Sequence, residues 1–172
     1  MALRTIMIFP EFENMESIDN IRNQYDPLSD SVRPHITLVF PFDSEMTNEE
    51  LTKILESRLA NEKPFEVKLR GISRHEDFYG NFLFLDVIQG AEEICTIHNS
   101  LYENEFSVFA SGSEFAPHIT IGKLPSIQQL DDAYNNTKDL NETFITIVNR
   151  ISVELIGENQ ESIILFEKEL TK

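Results

Sequence analysis

Hydrophobic positions change period several times along the chain, and each change marks an element. Leu3 to Phe9 reads as an opening strand stopped by Pro10, after which Phe12, Met15, Ile18 and Ile21 recur at every third position, as on a helix. Asp26-Pro27 favours a turn, and a strand follows from about Pro34 to Phe40. Thr47-Asn48-Glu49-Glu50 has capping-box spacing and opens a helix with Leu51, Ile54, Leu55 and Leu59 on one face. A strand or hairpin is predicted from Phe65 to about His75, and the Phe- and Leu-rich run Asn81 to Ile88 reads as a strand buried on both faces. Gly90 ends that run before a helix over roughly Ala91 to Tyr102. An irregular stretch through Ser111-Gly112-Ser113 leads to another strand, and Ser126 with Gln129 repeats the capping spacing ahead of a further helix. Two strands, Thr143 to Ile156 and Ser162 to Leu170, close the chain around Gly157-Glu158-Asn159.

Laid side by side, the halves repeat one order: strand, helix, Pro-His-Ile-Thr strand, capped helix, strand. The repeat is literal at its centre, where Arg33-Pro34-His35-Ile36-Thr37-Leu38-Val39 is answered 83 positions later by Ala116-Pro117-His118-Ile119-Thr120-Ile121-Gly122. This implies an internal duplication folded as two α+β lobes about a pseudo-twofold, with the marked strands meeting at a central groove. A length of 172 residues with 41% hydrophobic content suits one domain, 1–172, and no low-complexity linker divides it.

Charge narrows the ligand. The net charge is −16, with −7 from residues 1 to 86 and −9 from the rest, so neither half is a basic module. A polyanion track needs many Lys and Arg, so a small nucleotide or an RNA terminus fits this chain better than a long duplex. No basic and apolar leader precedes Arg4, and no apolar run approaches the ~20 residues of a membrane-spanning helix. A cytoplasmic monomer without a membrane partner is expected. Cys95, between Ile94 and Ile97, reads as a small buried residue of a helix rather than a reactive thiol.

Strand side chains alternate between faces, so in each copy the His and the Thr two residues on project together while the intervening Ile points away. One such match is ordinary structure, a hydrogen-bonded core His beside a Thr of high strand propensity. Two matches at equivalent points of a duplicated unit offer two imidazoles and two hydroxyls to one cleft. That equipment suits phosphoryl chemistry, with one imidazole taking a proton, the other giving one, and the hydroxyls holding phosphate oxygens.

With His35-Ile36-Thr37-Leu38 and His118-Ile119-Thr120-Ile121, the chain resembles the 2H phosphoesterase superfamily, which includes 2′-5′ RNA ligase-like proteins and 2′,3′-cyclic nucleotide phosphodiesterases. Ile8-Phe9-Pro10, Tyr25-Asp26-Pro27 and the Pro before each motif His are similar to a small bacterial branch of it. The resemblance spans nearly the whole length. It implies a bilobal, pseudo-symmetric α+β fold whose antiparallel sheets line the groove with helices outside. It also implies His35 and His118 as the acid and base pair, and Thr37 and Thr120 as phosphate-binding hydroxyls. The implied reaction is the opening of 2′,3′-cyclic phosphates on small nucleotides or RNA ends, or its reverse, ligation. A binding module for a nucleotide or cyclic dinucleotide in the same groove is the alternative.

Further candidates are less marked. Tyr25 and Arg22 sit before the loop that feeds the first motif and are placed to close over a ligand or to build a surface turn. Phe78 and Tyr79 are candidates to stack on a base. Lys68, Arg70 and Arg74 would form one row on a continuous strand, read as a solvated face; Arg33 and Lys123 flank the motifs. Lys123 shares the parity of Ile119 and Ile121, which turns it away from His118 if the strand is regular. His75 and His98 lack a repeated context and read as structural or solvent-facing. No metal site or cofactor is expected, because nothing supplies zinc-motif spacing and no Gly-rich phosphate loop is present.

Overall fold

The computed structural model describes residues 3–171. Its elements run β1 (Arg4–Ile8), α1 (Met15–Tyr25), β2 (Ile36–Phe42), α2 (Asn48–Arg58), β3 (Phe65–Asp77), β4 (Gly80–Gln89), α3 (Ala91–Tyr102), a 3₁₀ turn (Ser107–Phe109), β5 (His118–Leu124), α4 (Ile127–Thr137), β6 (Phe144–Val148), β7 (Arg150–Ile156) and β8 (Ser162–Glu169). The expected caps form. The Thr47 hydroxyl accepts from the Glu50 N–H while the Glu50 carboxylate accepts from the Thr47 N–H, and Ser126 accepts from the Gln129 N–H.

The strands make two antiparallel four-stranded sheets, ordered β2-β1-β7-β8 and β5-β4-β3-β6. The pseudo-symmetry is visible in those orders: β1 and β2 correspond to β4 and β5, and each sheet borrows its next strand from the other half of the chain. β3 leaves the first half to pair with β4, and β7 leaves the second half to pair with β1. The helices cross as well, α1 packing on β5 and α3 on β2. One apolar core runs through both sheets, from Ile6, Ile8, Leu38 and Val153 to Leu69, Leu83, Leu85 and Ile119.

Two expected strands change character. The segment Thr143 to Ile156 is broken at Asn149, so β6 joins one sheet and β7 the other. β4 is buried on one face rather than two: Leu83 and Leu85 enter the core, whereas Phe82 and Phe84 are half-exposed. Its aromatic density therefore comes from a wall as well as a core. Among the described residues no helix is long and apolar enough to cross a membrane.

Candidate active site

β2 and β5 are each an edge strand of their sheet, and they lie against one another at the junction of the sheets. This brings the two His-x-Thr segments together. Each imidazole is held by the same local device: Nδ1–H of His35 donates to the Arg33 carbonyl at 2.8 Å, and Nδ1–H of His118 donates to the Ala116 carbonyl at 2.7 Å. A carbonyl only accepts, so Nδ1 carries the proton and Nε2 is left for exchange with a ligand. Both rings are half-buried. Burial, which disfavours the imidazolium, lowers both from the ordinary histidine value of 6.5; the charge of Arg22 adds to this at His35, and so does that of His118.

The hydroxyls are uncommitted. Thr37 makes only a long contact, 4.0 Å, to the Met7 sulfur, and among the described residues the Thr120 hydroxyl has no hydrogen-bond partner. Each is free to donate to an oxyanion.

Immediately after each Thr the strand bulges. Met7 pairs with Thr37 and Ile6 with Val39, leaving Leu38 extra; Phe84 pairs with Thr120 and Leu83 with Gly122, leaving Ile121 extra. Leu38-Val39 and Ile121-Gly122 are therefore consecutive buried residues, and the alternation reverses beyond them. Lys123 pairs with Phe82, which shares a face with Phe84, so Lys123 lies on the same face as His118 and Thr120. The regular-strand parity that turned it away does not hold. Its ammonium stands 5.5 Å from the Phe82 ring centroid, without a carboxylate partner among the described residues. Phe40 occupies the matching place after the first bulge and is 46% exposed.

The other sequence candidates fall in different places. Arg22 is 2% exposed, with Nε donating to the Asp26 carboxylate at 2.8 Å and Nη2 to the Leu28 carbonyl at 3.3 Å. It stays near His35 but is committed to a buried pair. Tyr25 packs against Gly122, whose missing Cβ would stand 3.0 Å from that of Tyr25, and its hydroxyl accepts from Asn136 at 3.3 Å. Phe78, 97% exposed, and Tyr79 form the tip of the β3–β4 hairpin. Asp86, which pairs with His118, lies six strand steps from Gly80, so the tip stands on the order of 20 Å from the histidine. The row of Lys68, Arg70 and Arg74 is broken at Gly71, whose φ of 88° marks a bulge; Arg74 then turns to Asp131 and Tyr134 of α4. His98 is structural: Nδ1–H donates at 2.7 Å to the carbonyl of the bulged Leu38, and the ring stacks on Phe115 at 3.7 Å.

A cavity of about 500 Å³ opens beside the first motif, between α1 and the loop before β2, with Pro10, Met15, Arg22, Val32, Arg33 and Pro34 among its lining residues. Arg33 also covers the Phe9 ring at 4.6 Å, and Phe9 meets the His35 ring edge-on at 6.0 Å. Among the described residues, no group of three or more His, Cys, Asp or Glu side chains is arranged to hold a metal ion.

Comparison with known proteins gives the family and the fold. The profile of the 2′-5′ RNA ligase superfamily matches residues 10–158. A protein of Geobacillus thermodenitrificans, named provisionally as a phosphoesterase, is 31% identical over 160 residues, covering 90% of this chain and 88% of the relative. A similarly named protein of Bacillus mycoides is 31% identical over 131 residues, covering 74% of this chain and 70% of the relative. Among solved structures, TT0787 of Thermus thermophilus superposes with a TM-score of 0.67 at 16% identity, covering 98% of this chain and 97% of that one. E. coli LigT in complex with 3′-AMP superposes with a TM-score of 0.66 at 17% identity, covering 99% of both. These two share the fold of two antiparallel sheets with flanking helices.

Proposed function

The chain belongs to the 2′-5′ RNA ligase superfamily, a phosphoesterase family, and on that premise we propose that it is a metal-independent phosphodiesterase opening 2′,3′-cyclic phosphates on small nucleotides or RNA ends. One observation carries the reading: two imidazoles on facing edge strands, each fixed through Nδ1 to the carbonyl two residues back, each beside an uncommitted hydroxyl.

One Nε2 accepts a proton from water as the water oxygen attacks phosphorus. The other, protonated, gives its proton to the ribose oxygen as the P–O bond to that oxygen breaks. Thr37 and Thr120 donate to the non-bridging oxygens, and Lys123 adds positive charge on the same face. The protons balance: water supplies one to the base, and the acid returns one to the departing oxygen. Opening of 2′,3′-cyclic AMP with O2′ as the leaving oxygen yields 3′-AMP, the nucleotide in the LigT complex. Run backwards with an RNA hydroxyl in place of water, the same steps join ends.

The acting unit is the whole chain, 1–172, as a monomer, each lobe giving one His-x-Thr strand. The cavity beside Arg33 accommodates the nucleoside attached to the phosphate. Phe78 and Tyr79 come into play only on a substrate of several nucleotides, given their distance along the hairpin.

The test is ³¹P NMR of 2′,3′-cyclic AMP incubated with the protein in EDTA, beside the His35→Ala/His118→Ala double variant. A single monophosphate isomer from wild type alone is expected. Equal turnover by the double variant would refute the assignment of the histidines, and loss of activity in EDTA would refute the metal-free mechanism. The binding-module alternative is favoured by the net charge of −16 together with the commitment of Arg22, the guanidinium near His35, to a buried pair with Asp26. Saturable binding of the nucleotide without any product would select it.

A further inference from the structure

Behind the second motif three aromatic rings cross three neighbouring strands. His75 on β3 lies over Phe84 on β4 with centroids 5.2 Å apart and planes at 21°, and Phe84 lies over His118 on β5 at 3.6 Å and 22°. The register explains the row: His75 pairs with Phe82 and Phe84 with Thr120, so all three rings stand on one face and meet along the diagonals of the ladder. Phe84 is thus sandwiched between two imidazoles, one in the site and one outside it.

We propose that His75 is a positioning residue for His118, holding that imidazole in place through the two faces of Phe84. Its kinetic consequence rests on the phosphodiesterase reading above. A protonated imidazole over an aromatic face is attracted by the ring's π electrons, so charging His75 tightens the stack rather than disrupting it. The same charge is felt at His118, where His75 lowers the proton affinity.

Other charged groups bear on the two rings from each neighbouring strand. Asp77, on the strand of His75, lies 3.1 Å from its Nε2. Asp86 on β4 pairs directly with His118 and favours its protonation; Ser73 donates to that carboxylate at 2.7 Å. Lys123 on β5 stands by Phe82, and His35 faces His118 from the first motif. The first lobe has no such arrangement. By register the place of His75 is taken there by Glu154, which is buried and hydrogen-bonded by Thr5 and Ser162, and that of Phe84 by Met7.

The experiment is an imidazole titration by two-dimensional NMR of wild type, His75→Phe and His75→Ala, together with pH profiles of kcat/KM. His75→Phe keeps a ring on Phe84 and removes the charge. The His118 midpoint is expected to rise by about 0.3 to 0.7 pH unit, the size of the interaction between charges ~9 Å apart at high effective dielectric. The His35 midpoint stays, and the limb of the rate profile owed to His118 moves in the same direction. His75→Ala, which removes ring and charge, is expected to give the same shift and a lower kcat across the pH range. An unmoved His118 midpoint in His75→Phe overturns the electrostatic role, and an unchanged kcat in His75→Ala overturns the positioning role. Absence of turnover by wild type would defeat the phosphodiesterase reading alone, since the titration still decides the coupling.

Discussion

His35 meets Phe9 edge-on, beside the buried Arg22–Asp26 pair and next to a cavity, whereas His118 lies flat on Phe84 with His75 on the far side of that ring. What the two motifs share is made by backbone: the Nδ1 bond to the carbonyl two residues back, and a bulge directly after the Thr. What separates them is made by side chains packed from other strands. Even the bulges are secured differently, the first by His98 on the Leu38 carbonyl and by the Tyr102 hydroxyl accepting from the Phe40 N–H at 3.2 Å, the second by Gly122 lying against Tyr25. The repeat thus carries two imidazoles held alike by backbone, and their surroundings make them unequal. Such inequality is what a mechanism with one base and one acid requires.

The largest effect that would break this comparison is on turnover. His35→Ala and His118→Ala should each lower kcat/KM by about 10²- to 10⁴-fold in hydrolysis of a 2′,3′-cyclic nucleotide. A loss confined to one of them would mean that the lobes do not share the chemistry.

Next comes stability. Arg22→Met leaves the Asp26 carboxylate buried without its partner and should cost about 3–5 kcal/mol in denaturant unfolding. A cost under about 1 kcal/mol, the range of an exposed pair, would show that this pair is not what holds the loop before β2. A smaller effect tests the bulges: Lys123→Gln should raise KM by about two- to fivefold and flatten its salt dependence, whereas Phe40→Ala, at the matching place in the first lobe, should leave the salt dependence unchanged.

The finest test is pH. Burial lowers both motif histidines from 6.5, so the bell of kcat/KM should be displaced to the acid side of that value. The sign for stability follows from the same shift. The unfolded histidines bind protons more readily than the folded ones, so the stability present above the unfolded value is lost as pH falls through the folded values. Denaturation midpoints measured from pH 8 down to 5 should therefore decline below about 6.5, and less steeply in His35→Gln.

Much of this was legible in the chain because the signals are local. Alternation, helical spacing, Thr47 and Ser126 as caps and the repeated Pro-His-Ile-Thr each act within a few residues. What was not legible depends on partners far away in sequence. Lys123 comes onto the site face only because Gly122 pairs with Leu83 and Ile121 is left over. Nothing in Thr143 to Ile156 announces that Asn149 hands the chain from one sheet to the other. Arg22, open to a ligand or to a surface turn, is paired in the fold with Asp26, four residues on, a residue that by itself reads as a turn former before Pro27. The aromatic run Phe82-Leu83-Phe84-Leu85 has a composition suited to burial on both sides, and only the arrival of β5 shows that one side carries the face on which His118 lies.

The exchange of strands also fixes the order in which a growing chain can finish. β1 pairs on one side with β2, made soon after it, but its other neighbour is β7, whose residues are Arg150–Ile156. Until those residues leave the ribosome, β1 keeps one open edge of backbone N–H and C=O groups, while the second sheet lacks only β6 once β5 is made. The lobe that begins first in synthesis is therefore the last to close, and premature release of the chain strands the half that carries His35.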